Sequence, residues 1–355
     1  MKSIPEIAQK IGEILPRPVT FMEVCGTHTV NIFRYGLRSL FPSKLHLVSG
    51  PGCPVCVTPP EEIDYLIEIA QRPGVQLATF GDLLRIPGSR SSLKEARAQG
   101  ADIKIVYSPL DAVELARKNP SQTIVFAAFG FETTAPAVAV AVLEAKRDAL
   151  SNLLFAISHR TMPSALKALL ASGSLSLDGL ILPGHVSTIT GAAYFRFVAE
   201  EFGLPAVVTG FEARHIMRGL YMLARQVAEG RREVEIEYRE AVTWEGNPMG
   251  QQLIRKVFEP CDARWRGLGL IPDSGLRLRA PYAAFDAQRA LEIEVPPAQE
   301  PKGCLCGEIL CGRKVPPDCK LFGQSCTPEH PVGPCMVSIE GTCAAWYNFH
   351  EASSP

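Results

Sequence analysis

A chain of 355 residues with 46% apolar and 21% charged side chains has ample material for buried cores and suggests two or three domains. Its formal net charge of −1 leaves no electrostatic footprint for nucleic acid. The longest apolar run, near residues 135–143, is too short to span a bilayer, and Met1 to Pro18 shows no apolar core followed by a small-residue cleavage site. The chain therefore reads as soluble and cytoplasmic, with no membrane association.

Taken in order, residues up to about 230 repeat one pattern of a short apolar run, a turn and an amphipathic helix. Strands are expected at 20–24, 45–49, 75–80, 103–107, 123–129, 153–158, 180–182 and 206–209. Thr58-Pro59-Pro60-Glu61 reads as a capping box with proline in the first turn, and Ser108-Pro109 as a cap followed by an N1 proline. Strands alternating with helices imply parallel sheet. The expected fold class is α/β, with two open parallel-sheet, Rossmann-like domains at 25–120 and 121–230. A single (β/α)8-like barrel is the alternative. Beyond Gly230 the pattern changes. Residues 231–242 read as an edge strand and 251–258 as a helix, and 264–278 is a Gly-, Pro- and Arg-rich stretch anchored by Trp265. A third, Cys-rich unit is expected at 231–355, joined by 1–24.

Functional loops in such folds lie at the C-terminal ends of strands. Cys25-Gly-Thr-His28-Thr29 follows the first strand and opens a helix, whose free N–H groups favour a thiolate. Cys25 could be a nucleophile, a soft metal ligand or a small buried cysteine, with His28 close enough to share its site. Gly50-Pro-Gly-Cys53-Pro-Val-Cys56 follows the second strand. Cys-x-x-Cys between strand and helix is the redox dithiol arrangement, the other readings being half a zinc site or two unrelated thiols. Glu132, His185 and Glu212 sit in Gly-containing loops after later strands. The two glutamates could anchor a ligand, orient His185, or only favour a helix start. His159 is equally compatible with structure and function, whereas His46, His215 and Cys261 read as structural. No Walker A loop or G-x-G-x-x-G is present.

The tail carries the densest signal. Seven of the eleven cysteines, Cys304, Cys306, Cys311, Cys319, Cys326, Cys335 and Cys343, fall among numerous prolines and glycines. Such a segment lacks aliphatic material for a core, so thiolate–metal bonds or disulfides must order it. The spacing fits no standard zinc finger and no bacterial ferredoxin run. An iron–sulfur cluster plus a spare thiol pair, or zinc with spare thiols, both accommodate it.

Together these motifs resemble the HypD family of NiFe hydrogenase maturation factors. The resemblance rests on the Cys25 and Cys53/Cys56 motifs, Gly130-Phe-Glu-Thr-Thr-Ala-Pro136, Pro183-Gly-His-Val-Ser187, Glu245-Gly-Asn247, Trp265-Arg-Gly-Leu-Gly269 and the tail from Gly303 to Cys343. It implies a 4Fe-4S cluster in a C-terminal domain beside two α/β domains. It also implies partnership with the small chaperone HypC around an iron atom, and cyanide delivery from HypE. The finished Fe(CN)2CO unit then passes to the hydrogenase large subunit. Carried onto this sequence, Cys25 is the iron ligand or cyanide-handling thiol, and Cys53 and Cys56 are a redox pair. His28, Glu132 and His185 complete the working site. The expected cluster ligands are Cys304, Cys319, Cys326 and Cys343, with Cys306 and Cys335 as alternative ligands or a disulfide. Cys311 is excluded from the set, and Glu212 is carried over only weakly. The protein would be an assembly scaffold with redox activity rather than a conventional enzyme. A stand-alone thiol–disulfide oxidoreductase containing a cluster is the alternative.

Overall fold

The computed structural model describes residues 3–296, 298 and 300–349. Among the described residues there are eleven strands: β1 (Val19–Glu23), β2 (Leu45–Ser49), β3 (Val75–Thr79), β4 (Ile103–Ile105), β5 (Thr123–Gly130), β6 (Leu153–His159), β7 (Gly179–Pro183), β8 (Ala206–Thr209), β9 (Val234–Ile236), β10 (Phe258–Trp265) and β11 (Gly269–Leu278). All eight strands expected before Gly230 are found. They form two open sheets, one with the order β2-β1-β7-β8-β9 and one with the order β4-β3-β5-β6. Every pairing within these two sheets is parallel. Both sheets keep free edges, so the barrel alternative is not the observed architecture.

The order of strands corrects the expected division of the chain. The chain leaves the first sheet after β2, builds the whole second sheet, and returns at β7. The boundary expected between 120 and 121 falls inside the second sheet, between β4 and β5. Residues 1–24 were expected with the Cys-rich unit. Instead β1 is an interior strand of the first sheet. The Ile4–Ile14 helix puts Ile7, Ala8 and Ile11 into the core formed with Ile216, Leu220 and Leu223 of the Ala213–Glu229 helix. Sequence periodicity identifies strands but carries no information on which distant strand each one pairs with, and that is where the expected boundaries fail.

Local chemistry explains the element ends. Ser108 and Asp111 form the expected reciprocal cap, with Ser108 N–H donating to Asp111 Oδ2 at 3.0 Å. The expected box at Thr58 does not form. Its hydroxyl donates to Pro54 O at 2.8 Å and closes the Pro54–Val57 turn instead, leaving the next helix to start on Pro59-Pro60. The edge strand expected at 231–242 shortens to β9, and the helix expected at 251–258 is Pro248–Val257. The stretch around Trp265 is an antiparallel hairpin of β10 and β11, held to the second sheet by Thr161 N–H donating to Ser274 O at 2.9 Å. Trp265 is the expected anchor. It is 1% exposed, stacks on Phe131 at 5.8 Å between ring centroids, and donates its indole N–H to Ser274 Oγ at 2.9 Å.

The C-terminal ends of β1 and β2 meet the tail, and three glycines make that meeting possible. A methyl on Gly52 would lie 2.2 Å from Cys25 N, one on Gly26 would lie 2.7 Å from Glu340 Cβ, and one on Gly341 would lie 2.2 Å from Cys335 O. Gly52→Ala should therefore destabilise the fold by about 3 kcal/mol or more. Gly81→Ala, whose added methyl meets nothing nearer than 4.0 Å, should change stability by less than about 0.5 kcal/mol. Urea unfolding of both variants checks this, and equal stabilities would contradict it.

Candidate functional site

Cys25 is the N-cap of the Gly26–Arg34 helix, directly after β1. Its backbone N–H donates to Glu23 Oε2 at 3.1 Å, and Thr29 Oγ1 donates to Glu23 Oε1 at 2.5 Å. Glu23 is buried, and loss of solvation pushes its carboxyl up to about 7. The Cys25 thiol is also buried. Desolvation first, and the Glu340 carboxylate second, push it up to about 12. The helix start was expected to favour a thiolate here. Burial and two neighbouring acids outweigh the few N–H groups that the helix offers.

His28 lies one turn along the same helix. Its Nε2 faces Thr209 Oγ1 at 2.9 Å, Gly210 O at 3.1 Å and Thr209 O at 3.2 Å, all at the end of β8. Carbonyl oxygens only accept, so Nε2 carries the proton. Nδ1 is buried with a bare lone pair and no partner. Burial lowers the imidazole pKa to about 4. Phe211 packs against both His28, at 4.9 Å, and His185, at 3.9 Å. The two histidines thus share one aromatic spacer. Glu340 reaches the same mouth from the tail, accepting from Thr27 Oγ1 at 2.5 Å. Burial lowers the His185 pKa and Glu340 opposes it.

The dithiol motif lies against Cys25. Gly26 N–H donates to Gly52 O at 3.0 Å, and Gly26 is so close to Cys53 that an added methyl would lie 3.3 Å from Cys53 Cβ. Cys53 caps the Pro54–Val57 turn, bringing its Sγ to 2.8 Å from Cys56 Sγ. Burial lifts the Cys56 thiol well above its ordinary range, although it sits in a helical turn that begins just after Cys53. Cys56 Sγ also lies 3.9 Å from Pro334 O, one residue before Cys335, with whose thiol it interacts. Cys335 Sγ is in turn 2.7 Å from Cys306 Sγ. A run of sulfur therefore leads from beside Cys25 through Cys53, Cys56 and Cys335 to Cys306.

Cys306 and Cys335 open on a narrow apolar cavity that they line with Cys304, Cys319, Cys326 and Cys343, together with Ile309, Leu321, Phe322 and Met336. Gly333 leaves room for Cys304, since a methyl there would fall 2.7 Å from its Sγ. Val332 N–H donates to Cys326 Sγ at 3.3 Å, as backbone groups do to thiolates that ligate iron–sulfur clusters. Six soft donors around an apolar space are a donor set that fits a cluster. Cys311 does not line this cavity and is directed at Gly267 O, 3.6 Å away. Among the described residues, no three His, Cys, Asp or Glu side chains converge on a single-ion site.

Other expected residues are placed elsewhere. Glu132 is buried and accepts Met162 N–H at 2.9 Å, so it ties the second sheet to the start of the Met162–Ala171 helix. His185 is oriented by Phe211 rather than by Glu132. Glu212 is exposed at the start of its helix. His159 is buried against Thr134 Oγ1 at 3.1 Å, and His215 pairs with Glu237 at 2.9 Å, both structural roles. Sequence reasoning missed Glu23, Phe211 and Glu340. Glu23 and Glu340 each sit two or three residues from a motif cysteine, which was the one available signal.

Comparison with known proteins places these features in a family. A family model, HypD, described as the hydrogenase formation hypA family, matches residues 2–350. The chain is 45% identical to a hydrogenase maturation factor HypD from Rhodobacter capsulatus, over 98% of this chain and 94% of that one. It is 47% identical to that of Azotobacter vinelandii, over 94% and 90%. It is 41% identical to that of Escherichia coli K12, over 100% and 95%.

Burial pushes the Glu132 carboxyl up to about 7 from 4.5. A raised folded-state value means that its contribution to stability is complete below about pH 4.5 and is lost as pH rises through about 7, a swing of about 3 kcal/mol. Glu132→Gln keeps the acceptor for Met162 and should lose this pH dependence. Unfolding measured from pH 5 to 8 should show the variant gaining on the parent as pH rises, and parallel curves would contradict it.

Proposed function

The chain belongs to the HypD family of hydrogenase-formation proteins, and from that premise we propose that it is a scaffold on which the iron of NiFe hydrogenases acquires its small ligands. The observation that carries this reading is the run of sulfur between Cys25 and the cysteine-lined cavity. Cys25 holds the cargo iron, which is shared with the small chaperone HypC. HypE supplies cyanide, and the Fe(CN)2CO unit leaves for the hydrogenase large subunit. Cyanide and CO bind a soft, electron-rich Fe(II), and a thiolate ligand provides one. Metal arrival must displace the proton that burial keeps on Cys25, so iron affinity rises with pH. His28, three residues along the same helix, has a bare Nδ1 lone pair, and His185 stacks on the Phe211 ring that also packs against His28.

Cys304, Cys319, Cys326 and Cys343 would hold a 4Fe-4S cluster, which supplies single electrons when bound. Cys306 with Cys335, and Cys53 with Cys56, are the two thiol pairs set between it and Cys25. A cytoplasmic setting, where thiols stay reduced, suits this arrangement. Among the described residues no helix is long and apolar enough to cross a membrane. The oxidoreductase alternative is disfavoured by burial. Cys53 and Cys56 are 3% and 0% exposed, so a protein disulfide has no sulfur to meet.

Cys25→Ala should abolish hydrogenase maturation in a complemented deletion strain. The anaerobically purified variant should still carry about four irons per chain, with the cluster's visible absorbance. Loss of that iron would overturn the assignment of Cys25 to the cargo rather than to the cluster. Zinc in place of iron in the parent protein would overturn the cluster.

A further inference from the structure

Arg266 has no role in the reading above. It occupies the turn between β10 and β11 and is 3% exposed. Its backbone N–H donates to Val57 O at 2.8 Å, one residue beyond Cys56. The next residue, Gly267, has φ +80°, and a methyl on it would fall 2.5 Å from Gly307 Cα. The turn is thus clamped between the dithiol segment and the helix that begins at Cys306. Arg266 Nε donates to Glu300 Oε2 at 2.8 Å, and the Glu300 side chain is 57% exposed. Nη1 and Nη2, which carry the rest of the guanidinium donors, are buried with no partner. A buried cation with unmet donors is strongly unfavourable unless a counter-charge offsets it.

The contact of Gly267 with Gly307 sets this turn beside Cys306, which lines the cysteine cavity together with Cys304. A group that brings anionic sulfur to Cys304 would supply the missing counter-charge.

We propose that Arg266 is the buried counter-ion of the thiolate-bound cluster and that its unpaired nitrogens raise the cluster's reduction potential. This rests on the cluster assignment made above. Four thiolates leave a 4Fe-4S cluster net negative, and reduction adds a further negative charge. A desolvated cation nearby therefore stabilises the reduced form more than the oxidised one, and donors directed at sulfur act in the same sense. Arginine keeps its charge when buried and presents a fork of donors, so lysine replaces it only in part. Glu300 neutralises one edge of the guanidinium and moderates the effect.

The test is an anaerobic redox titration of the iron-loaded protein, followed by electron paramagnetic resonance. Arg266→Met should lower the reduced-to-oxidised ratio at a fixed potential by about tenfold, equivalent to 59 mV for a one-electron couple. Arg266→Lys should fall between it and the parent. Glu300→Gln, at an exposed side chain, should shift the ratio the opposite way and serves where Arg266→Met does not retain iron. Normal iron content with an unchanged midpoint in Arg266→Met, or an unchanged or lowered midpoint in Glu300→Gln, would overturn the proposal. Absence of a cluster from the parent protein would instead overturn the cluster assignment on which it rests.

Discussion

Backbone contact at glycine is the constraint on which the site depends. Gly52 lies on Cys25, Gly26 on Glu340, and Gly341 on the Cys335 carbonyl, each nearer than any side chain permits. These contacts join the end of β1, the end of β2 and the tail at a spacing that ordinary residues would exceed. With the three loops in register, Cys53, Cys56, Cys335 and Cys306 follow one another from beside Cys25 to the cavity. The tail also closes back over the Cys25 helix. Val30 and Phe33 pack with Ala345, Trp346 and Phe349, and the Arg38 guanidinium lies over the Phe33 and Trp346 rings at 4.7 Å and 5.3 Å.

Packing so close removes water, and the electrostatics follow from that. Cys25, Cys56 and Glu23 are all shifted toward their neutral forms by burial, as His28 is toward its neutral imidazole. At Cys25 and Cys56 desolvation outweighs the helix start. The working thiols are therefore not free nucleophiles waiting for a substrate. They become anionic where a soft cation replaces the proton, which suits a metal-handling scaffold better than a thiol exchange enzyme.

Much of this was legible before any coordinates. The eight strands before Gly230 show clear apolar runs, and Trp265 was identifiable as an anchor. The expectation that Cys25, His28, the dithiol and His185 belong to strand-end loops came from the way such loops gather at one end of a parallel sheet. The division of the tail cysteines, with Cys311 apart, came from the family resemblance, and the cavity lining agrees with it for Cys311. What the sequence did not reveal depends on contacts between distant segments. The excursion from β2 to the second sheet and back to β7, and the β10–β11 hairpin, leave no periodic trace. Neither do the approach of Glu340 to Thr27 and the burial of Arg266 beside Val57. The thiol pKa directions failed for a related reason: a helix start is visible in a sequence, whereas the amount of water around it is not.

The central claim is that two thiol pairs stand in line between Cys25 and the cavity. Mild anaerobic-to-aerobic oxidation of the metal-free protein, followed by alkylation and peptide mapping, tests it most directly. The account predicts Cys53–Cys56 and Cys306–Cys335 as the first disulfides to form, with Cys25, Cys261 and Cys311 still alkylated as free thiols. Cys25 joined to a tail cysteine, or Cys56 joined to Cys311, would contradict the arrangement.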